Sequence, residues 1–139
     1  MIILDTNVIS ALMTDRPEPV VARWLDRNAP ESIWTTSVTV FELRFGIERL
    51  PPSRKRRELE DQFSRILQED LQGRVLALDE PGAYGAAVLA AQRQSQGRPI
   101  ETRDAMIAGI AISRRAELAT RNVRHFAGLR VPVIDPWAA

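Results

Sequence analysis

Ile2-Ile3-Leu4-Asp5-Thr6-Asn7 is the stretch that does most to set the fold of this chain. Its three apolar residues form a short run that is typical of a buried strand. Asp5, Thr6 and Asn7 follow at once and are residue types that begin helices, and we predict that this helix continues to Leu12. A strand that leads directly into a helix is the repeating unit of an α/β protein, and the pattern recurs downstream.

Four further strands are predicted from short apolar runs, at residues 32–36, 74–78, 117–120 and 131–134. Helices are predicted to begin at Pro19, after Ser37 and Ser53 as N-caps, at Asp79 and at Asp104. The helix after Asp79 is expected to reach about Gln96 and to be closed by Gly97. This alternation predicts a single α/β domain, residues 1–139, around a central and mostly parallel sheet.

The apolar faces of three helices are also predicted. The helix after Ser37 is expected to present Val38, Phe41, Phe45 and Leu50, and the long helix after Ser53 to bury Leu59, Phe63, Ile66 and Leu67. The helix from Asp104 is apolar on nearly all sides, so we expect it to be central and buried.

The composition of the chain excludes several classes of chemistry. Its 139 residues include 19 basic and 18 acidic side chains, one histidine (His125) and no cysteine. A disulfide framework, a thiolate nucleophile, a cysteine zinc site and a catalytic histidine pair are therefore impossible. No apolar run approaches the roughly 20 residues of a membrane span, and the N-terminus does not resemble a signal peptide. We expect a cytoplasmic protein with no membrane association.

Three acids are candidates for a catalytic or metal site. Asp5 ends the first strand, Glu42 lies one turn into the helix after the second strand, and Asp104 precedes the buried helix. Ligands of parallel sheets bind beyond the carboxyl ends of the strands, where these segments would converge. Clustered carboxylates repel one another unless a cation lies among them, and oxygen ligands suit Mg²⁺ or Mn²⁺.

Each of these acids also has an ordinary structural interpretation. Asp5 and Asp104 are residue types that cap helices or stabilise their first turns, and Glu42 is a residue type that usually faces solvent. Thr120, Arg121 and Asn122 follow the fourth strand and, like Asn7, would either support the acids by hydrogen bonds or close turns.

Four short motifs resemble those of PIN-domain ribonucleases, and most of all those of VapC toxins similar to FitB. They are Leu4-Asp5-Thr6-Asn7, Val40-Phe41-Glu42-Leu43, Asp104-Ala105-Met106-Ile107-Ala108 and Ala119-Thr120-Arg121-Asn122. The resemblance covers the whole chain in order. It implies a PIN-like three-layer α/β/α fold and endoribonuclease activity. It also implies a cognate antitoxin of the VapB or FitA type, homodimers and larger toxin–antitoxin assemblies.

The resemblance also implies specific site residues. Asp5, Glu42 and Asp104 would bind one or two Mg²⁺ or Mn²⁺ ions, with Thr6, Asn7, Thr120 and Asn122 as supporting or substrate-orienting residues. Many relatives have a fourth acid three residues after the Asn that corresponds to Asn122, but this chain has His125 there. A neutral imidazole is able to bind metal or phosphate, but a lone histidine is more often structural, and we take a structural role as the default. Because it lowers the negative charge of the site, it leaves open whether a second metal binds.

Arginines supply the positive charge that an RNA substrate needs. Five lie between residues 114 and 130, and we take Arg121 and Arg124 as candidates for RNA binding. The run Arg54–Arg57 is interpreted as a solvated helix face, because acids follow it at helical spacing. Trp24, Leu25 and the long helix after Ser53 are candidates for an antitoxin groove.

The leading hypothesis is metal-assisted hydrolysis of an RNA phosphodiester, in which a metal-bound water becomes the nucleophile. One alternative is a catalytically inactive PIN-like module that binds nucleic acid or protein, which His125 favours. The other is a phosphatase with Asp5 as nucleophile. Such enzymes typically need a second acid two residues later, where this chain has Asn7, and a catalytic lysine, whereas its only lysine is Lys55.

Overall fold

Five short strands form one sheet at the centre of the computed structural model, which describes all 139 residues. They are β1 (Ile2–Leu4), β2 (Ile33–Thr36), β3 (Val75–Leu76), β4 (Glu117–Ala119) and β5 (Val133–Ile134). Their order in the sheet is β3-β2-β1-β4-β5, and every neighbouring pair is parallel. The carboxyl ends of all five strands therefore lie at the same edge.

Six α-helices surround the sheet. They are α1 (Thr6–Leu12), α2 (Pro19–Asp26), α3 (Ser37–Glu48), α4 (Arg54–Arg65), α5 (Glu80–Ser95) and α6 (Thr102–Arg114). A π-helical turn, Ile66–Asp70, continues α4, and a 3-10 turn, Val123–Phe126, follows β4. None of these helices has the length and apolar character that a membrane crossing requires.

The core is divided between the two faces of the sheet because side chains alternate along a strand. Ile2 and Leu4 join one buried cluster with residues of α1, α2 and α4. Ile3, between them, joins the other cluster with residues of α5 and α6. Helices thus cover both faces, which confirms the predicted three-layer α/β/α architecture and the parallel sheet.

Most helix starts agree with the prediction. Ser53 and Asp79 cap α4 and α5 through their side chains, and Gly97 has the positive φ of 70° expected just after the end of α5. The predicted cap at Ser37 is wrong, because the hydroxyl of Thr36 accepts from the amide of Thr39 instead.

Two predicted positions on helices also need correction. Asp104 does not begin α6, since Glu101 caps that helix and Asp104 lies in its first turn. Phe41 and Phe45 stack on each other on the surface of α3, with Phe41 57% exposed, so they are not part of the core. The predicted inner face of α4 is confirmed, because Phe63 and Ile66 are buried and Leu59 and Leu67 pack against the same cluster.

Candidate active site

The parallel sheet brings the predicted acids toward one edge. Asp5 follows β1 and caps α1, because its side chain accepts a hydrogen bond from the amide of Thr6. The amide of Asp5 donates to the carbonyl of Ala119 at the end of β4. Glu42 is on α3, which begins directly after β2, and Asp104 is in the first turn of α6. Three different segments therefore supply the three carboxylates.

Asp5 is the most deeply buried of these acids, with only 3% of the residue exposed. Its Oδ1 accepts from the amide of Thr6 at 2.7 Å, and its Oδ2 accepts from the Thr120 hydroxyl at 2.7 Å and from the Asn7 amide group at 3.4 Å. Burial raises the pKa of Asp5, and the charge of Asp104 raises it further, whereas the bonds from Thr120 and Thr6 lower it.

Thr120 is the centre of the hydrogen bonds that hold Asp5. While its hydroxyl donates to Asp5, the same oxygen accepts from the Asn7 side chain at 3.2 Å and from the amide of Asn122 at 3.0 Å. The Asn7 carbonyl oxygen in turn accepts from the amide of Arg121 at 3.1 Å. Asn7 and Thr120 therefore support Asp5, whereas Asn122 joins through its backbone and its side chain forms no hydrogen bond.

Thr6 connects Asp5 to Glu42. Its amide donates to Asp5, and its hydroxyl donates to Oε1 of Glu42 at 2.8 Å. Oε2 of Glu42 lies 3.7 Å from the guanidinium of Arg103, and the Glu42 side chain is 20% exposed. The solvent-facing interpretation of Glu42 is therefore wrong.

Asp104 lies beside the only histidine. Its Oδ2 is 3.4 Å from Nδ1 of His125, which is well exposed. Burial raises the pKa of Asp104, the charges of Glu101 and Glu42 raise it too, and His125 lowers it. Glu101 holds this turn in place, because it accepts from the amides of Arg103 and Asp104 at 3.0 and 3.2 Å.

The donor chemistry of the site fits a hard divalent cation. Asp5 and Asp104 are carboxylates that burial and mutual repulsion disfavour in their charged form, and a cation would relieve both effects. The side chains as they stand do not form a group of three that would surround one ion. The fit is therefore one of ligand type and electrostatics, centred on Asp5 and Asp104.

The two candidate RNA-binding arginines have different environments. The guanidinium of Arg121 stacks on the ring of Trp137, 4.8 Å from its centre. Arg124 lines a cleft that also includes Asp104 and His125. Sequence reasoning missed Arg93 and Arg98, which line the same cleft, and Arg103. The available signal was that two arginines come shortly before Asp104, Arg98 in the loop after Gly97 and Arg103 in the first turn of α6.

Two other sequence-based interpretations are resolved by contacts. Arg54 and Arg56 pair with Glu58 and Glu60 at 3.0 and 2.8 Å, as a solvated helix face would. Trp24 is a core residue and not part of a groove, whereas Leu25 lines a cavity of about 390 Å³ next to the π-helical turn.

Known proteins resemble this chain over nearly its whole length. The PIN domain family matches residues 2–130. The chain is 34% identical to the VapC ribonuclease Y4jK of Sinorhizobium fredii over 99% of this chain and 98% of that protein. It is 30% identical to the tRNA(fMet)-specific endonuclease VapC of Salmonella typhimurium, over 96% of each chain. Among solved structures, FitAcB from Neisseria gonorrhoeae superimposes with a TM-score of 0.88 at 33% identity, with both chains fully covered.

Proposed function

Because this chain belongs to the PIN domain family, we propose that it is a divalent-metal-dependent endoribonuclease and the toxin of a toxin–antitoxin pair. The observation that carries the proposal is the buried carboxylate of Asp5, held by Thr6 and Thr120 at the sheet edge toward which α3 and α6 bring Glu42 and Asp104. A buried acid with a raised pKa and fixed hydrogen bonds is typical of a functional group rather than of a simple helix cap.

Asp5 and Asp104 would hold the metal, with Glu42 as a further ligand or as the group that orients the attacking water. The metal, Mg²⁺ or Mn²⁺, would lower the pKa of a bound water and stabilise the charge that builds up on the phosphate. Thr120 and Thr6 fix the rotamer of Asp5, since each donates to a different oxygen. Thr6 also fixes Glu42, so one residue sets the positions of two acids.

The toxin assignment rests on the relatives and on the similarity over full length. The solved FitAcB structure and the VapBC complex from Salmonella typhimurium are toxin–antitoxin assemblies, and the chain covers 97% or more of the matched chains. We infer a small antitoxin of the VapB or FitA type as the partner of this chain. RNA is the substrate, because the curated relatives include a ribonuclease and an RNA-specific endonuclease.

The test is RNA cleavage by the purified chain in Mg²⁺, in Mn²⁺ and in a chelator. We expect Asp5→Asn and Asp104→Asn to abolish cleavage while their circular dichroism spectra stay those of the parent. Cleavage by both variants at the parent rate, or full cleavage in the chelator, would refute the assignment. Co-purification of a small protein encoded next to this chain tests the toxin role separately.

A catalytically inactive PIN-like binding module is the second candidate. Two observations favour it: His125 takes the place of the fourth acid, and no three potential ligands surround one point. Calorimetric titration distinguishes the candidates, because a nuclease should bind Mg²⁺ or Mn²⁺ through Asp5 and lose that binding in Asp5→Asn. An inactive module should show no binding in either protein.

A further inference from the structure

A polar cleft opens beside Asp104, between the end of α5, the loop before α6 and the 3-10 turn Val123–Phe126. Its volume is about 340 Å³, within the lower range of small-ligand sites. Three arginines line it together with the acid and the histidine: Arg93, Arg98, Arg124, Asp104 and His125. The cleft therefore combines three arginines with direct access to one of the proposed catalytic carboxylates.

The three arginines of this cleft have no acidic partner. None of them takes part in any of the ion pairs of the chain. Glu101, the other acid of the cleft, is already engaged, because it caps α6 and pairs with Arg103 at 3.2 Å. No direct ion pair within the chain therefore neutralises any of these three arginines.

Arg93 is the most unusual of the three, because it is only 8% exposed. Its guanidinium donates to the carbonyl oxygens of His125 at 3.2 Å and of Ala127 at 2.6 Å. Carbonyl groups satisfy its N–H donors but do not balance its charge, and an unbalanced buried charge is unfavourable. An anion bound in the cleft would supply that balance.

We propose that this cleft binds a phosphate of the RNA backbone next to the one that is cut. Arg98 and Arg124 would be the direct donors, because the planar guanidinium fork matches phosphate oxygens. Arg93 would be a positioning residue, since its two bonds fix the turn that presents Arg124 and His125. The inference rests on the proposed ribonuclease function. It implies that the RNA strand reaches the catalytic site from the arginine cleft and passes across Asp104.

The lining of the cleft favours a phosphate next to the one that is cut rather than the reacting phosphate itself. Asp104 lines the cleft but Asp5 and Glu42 do not, so a phosphate bound by the arginines would lie beside the proposed metal site rather than within it. Arg121 does not line this cleft, and its guanidinium stacks on the ring of Trp137. The strand is therefore expected to run along Arg124 and Arg98 and not along Arg121.

The test separates RNA binding from cleavage. In an Asp5→Asn background, binding of a fluorescent single-stranded RNA is measured by anisotropy over a series of salt concentrations. Arg98→Ala and Arg124→Ala should each weaken binding about tenfold, the size expected for a charged hydrogen bond. Each should also reduce the slope of log affinity against log salt by about 0.7, the value for one phosphate contact on a single strand.

Matched variants show whether the effect is local. Arg57→Ala removes an exposed arginine of α4, a helix that packs on the opposite face of the sheet from α5 and α6, and should leave binding unchanged. Arg98→Lys and Arg124→Lys should restore the salt slope but only part of the affinity, because lysine keeps the charge and loses the fork. A merely structural role would not give that rescue.

The outcomes distinguish this inference from the proposed function. If the parent chain cuts RNA, but Arg98→Ala and Arg124→Ala bind it like the Arg57→Ala control, the cleft assignment is wrong and the ribonuclease stands. If the parent chain neither cuts RNA nor binds it in the Asp5→Asn form, the proposed function fails and the cleft assignment fails with it.

Discussion

Replacing Gly109 by alanine tests how the position of α6, and with it Asp104, depends on close packing against α5. A Cβ atom at residue 109 would lie 2.3 Å from the carbonyl oxygen of Gly82 and 2.5 Å from the amide nitrogen of Ala86. Both obstacles are backbone atoms of α5, so no side chain can rotate away. The first distance is about 1 Å short of ordinary contact, and the helices must move apart by a similar amount.

The expected loss of stability follows from two opposing effects. Overpacking of this kind costs up to about 3 kcal/mol. Alanine in place of glycine within a helix stabilises the folded state by about 1 kcal/mol. Gly109→Ala should therefore lower the free energy of unfolding by about 2 kcal/mol, and the Tm by about 8 °C for a chain of this size. Displacement of α6 by about 1 Å should also reduce RNA cleavage about a hundredfold, because catalytic groups tolerate little misplacement.

Urea titration and thermal melting, both followed by circular dichroism, measure the stability, and RNA cleavage measures the site. Gly46→Ala is the matched control, since a Cβ atom there meets nothing within 4 Å and Gly46 is also helical. It should raise the free energy of unfolding by about 1 kcal/mol. A Gly109→Ala protein as stable and active as the Gly46→Ala protein would refute the argument that contact between α5 and α6 fixes Asp104.

Three further changes test the site. Because the pKa of Asp5 is raised in the fold, its contribution to stability is fully present below its ordinary value of 3.8 and is lost as pH rises through the raised value. In a chelator, Asp5→Asn should therefore be at least as stable as the parent at pH 7 in urea titrations, and lower stability there would contradict the sign. Thr120→Val removes a bond that lowers the pKa of Asp5, so the acid limb of the cleavage–pH profile should move to higher pH, whereas Thr120→Ser should leave it in place. Glu101→Ala removes the cap of α6 and should lower the free energy of unfolding by about 1 kcal/mol, whereas Glu101→Gln should retain most of the parent stability. A Glu101→Ala protein as stable as the parent would show that the cap contributes nothing.

The sequence was sufficient to predict the parts of the fold that depend on local pattern. Apolar runs located all five strands, although β3 and β5 are only two residues long. The rule that ligands bind at the carboxyl ends of parallel strands singled out Asp5 from the other acids of the chain. The apolar character of α6 on nearly all sides also identified it as buried, and its residues Ile107–Ala111 are indeed inside.

Pairings between distant residues were not predictable in the same way. The Thr6 hydroxyl donates to Glu42, 36 residues away in sequence, and the Thr120 hydroxyl donates to Asp5, 115 residues away. Neither bond can therefore be predicted from the local sequence. Phe41 and Phe45 have the spacing of a buried helix face, yet α3 presents them to solvent. Periodicity shows that residues share a face but not which face the sheet will cover.

The near-zero net charge of the chain hides a separation that matters for its substrate. Asp5 and Asp104 are desolvated acids, and their raised pKa values show that their charges are unfavourable in the isolated fold. Arg93, Arg98 and Arg124 line a cleft together with Asp104 and take part in no ion pair. A polyanion is attracted by surface potential and not by total charge. The acids and the arginines therefore each favour a ligand of opposite charge. The acids require a cation, the arginines require an anion, and an RNA strand with a bound divalent ion supplies both in adjacent positions.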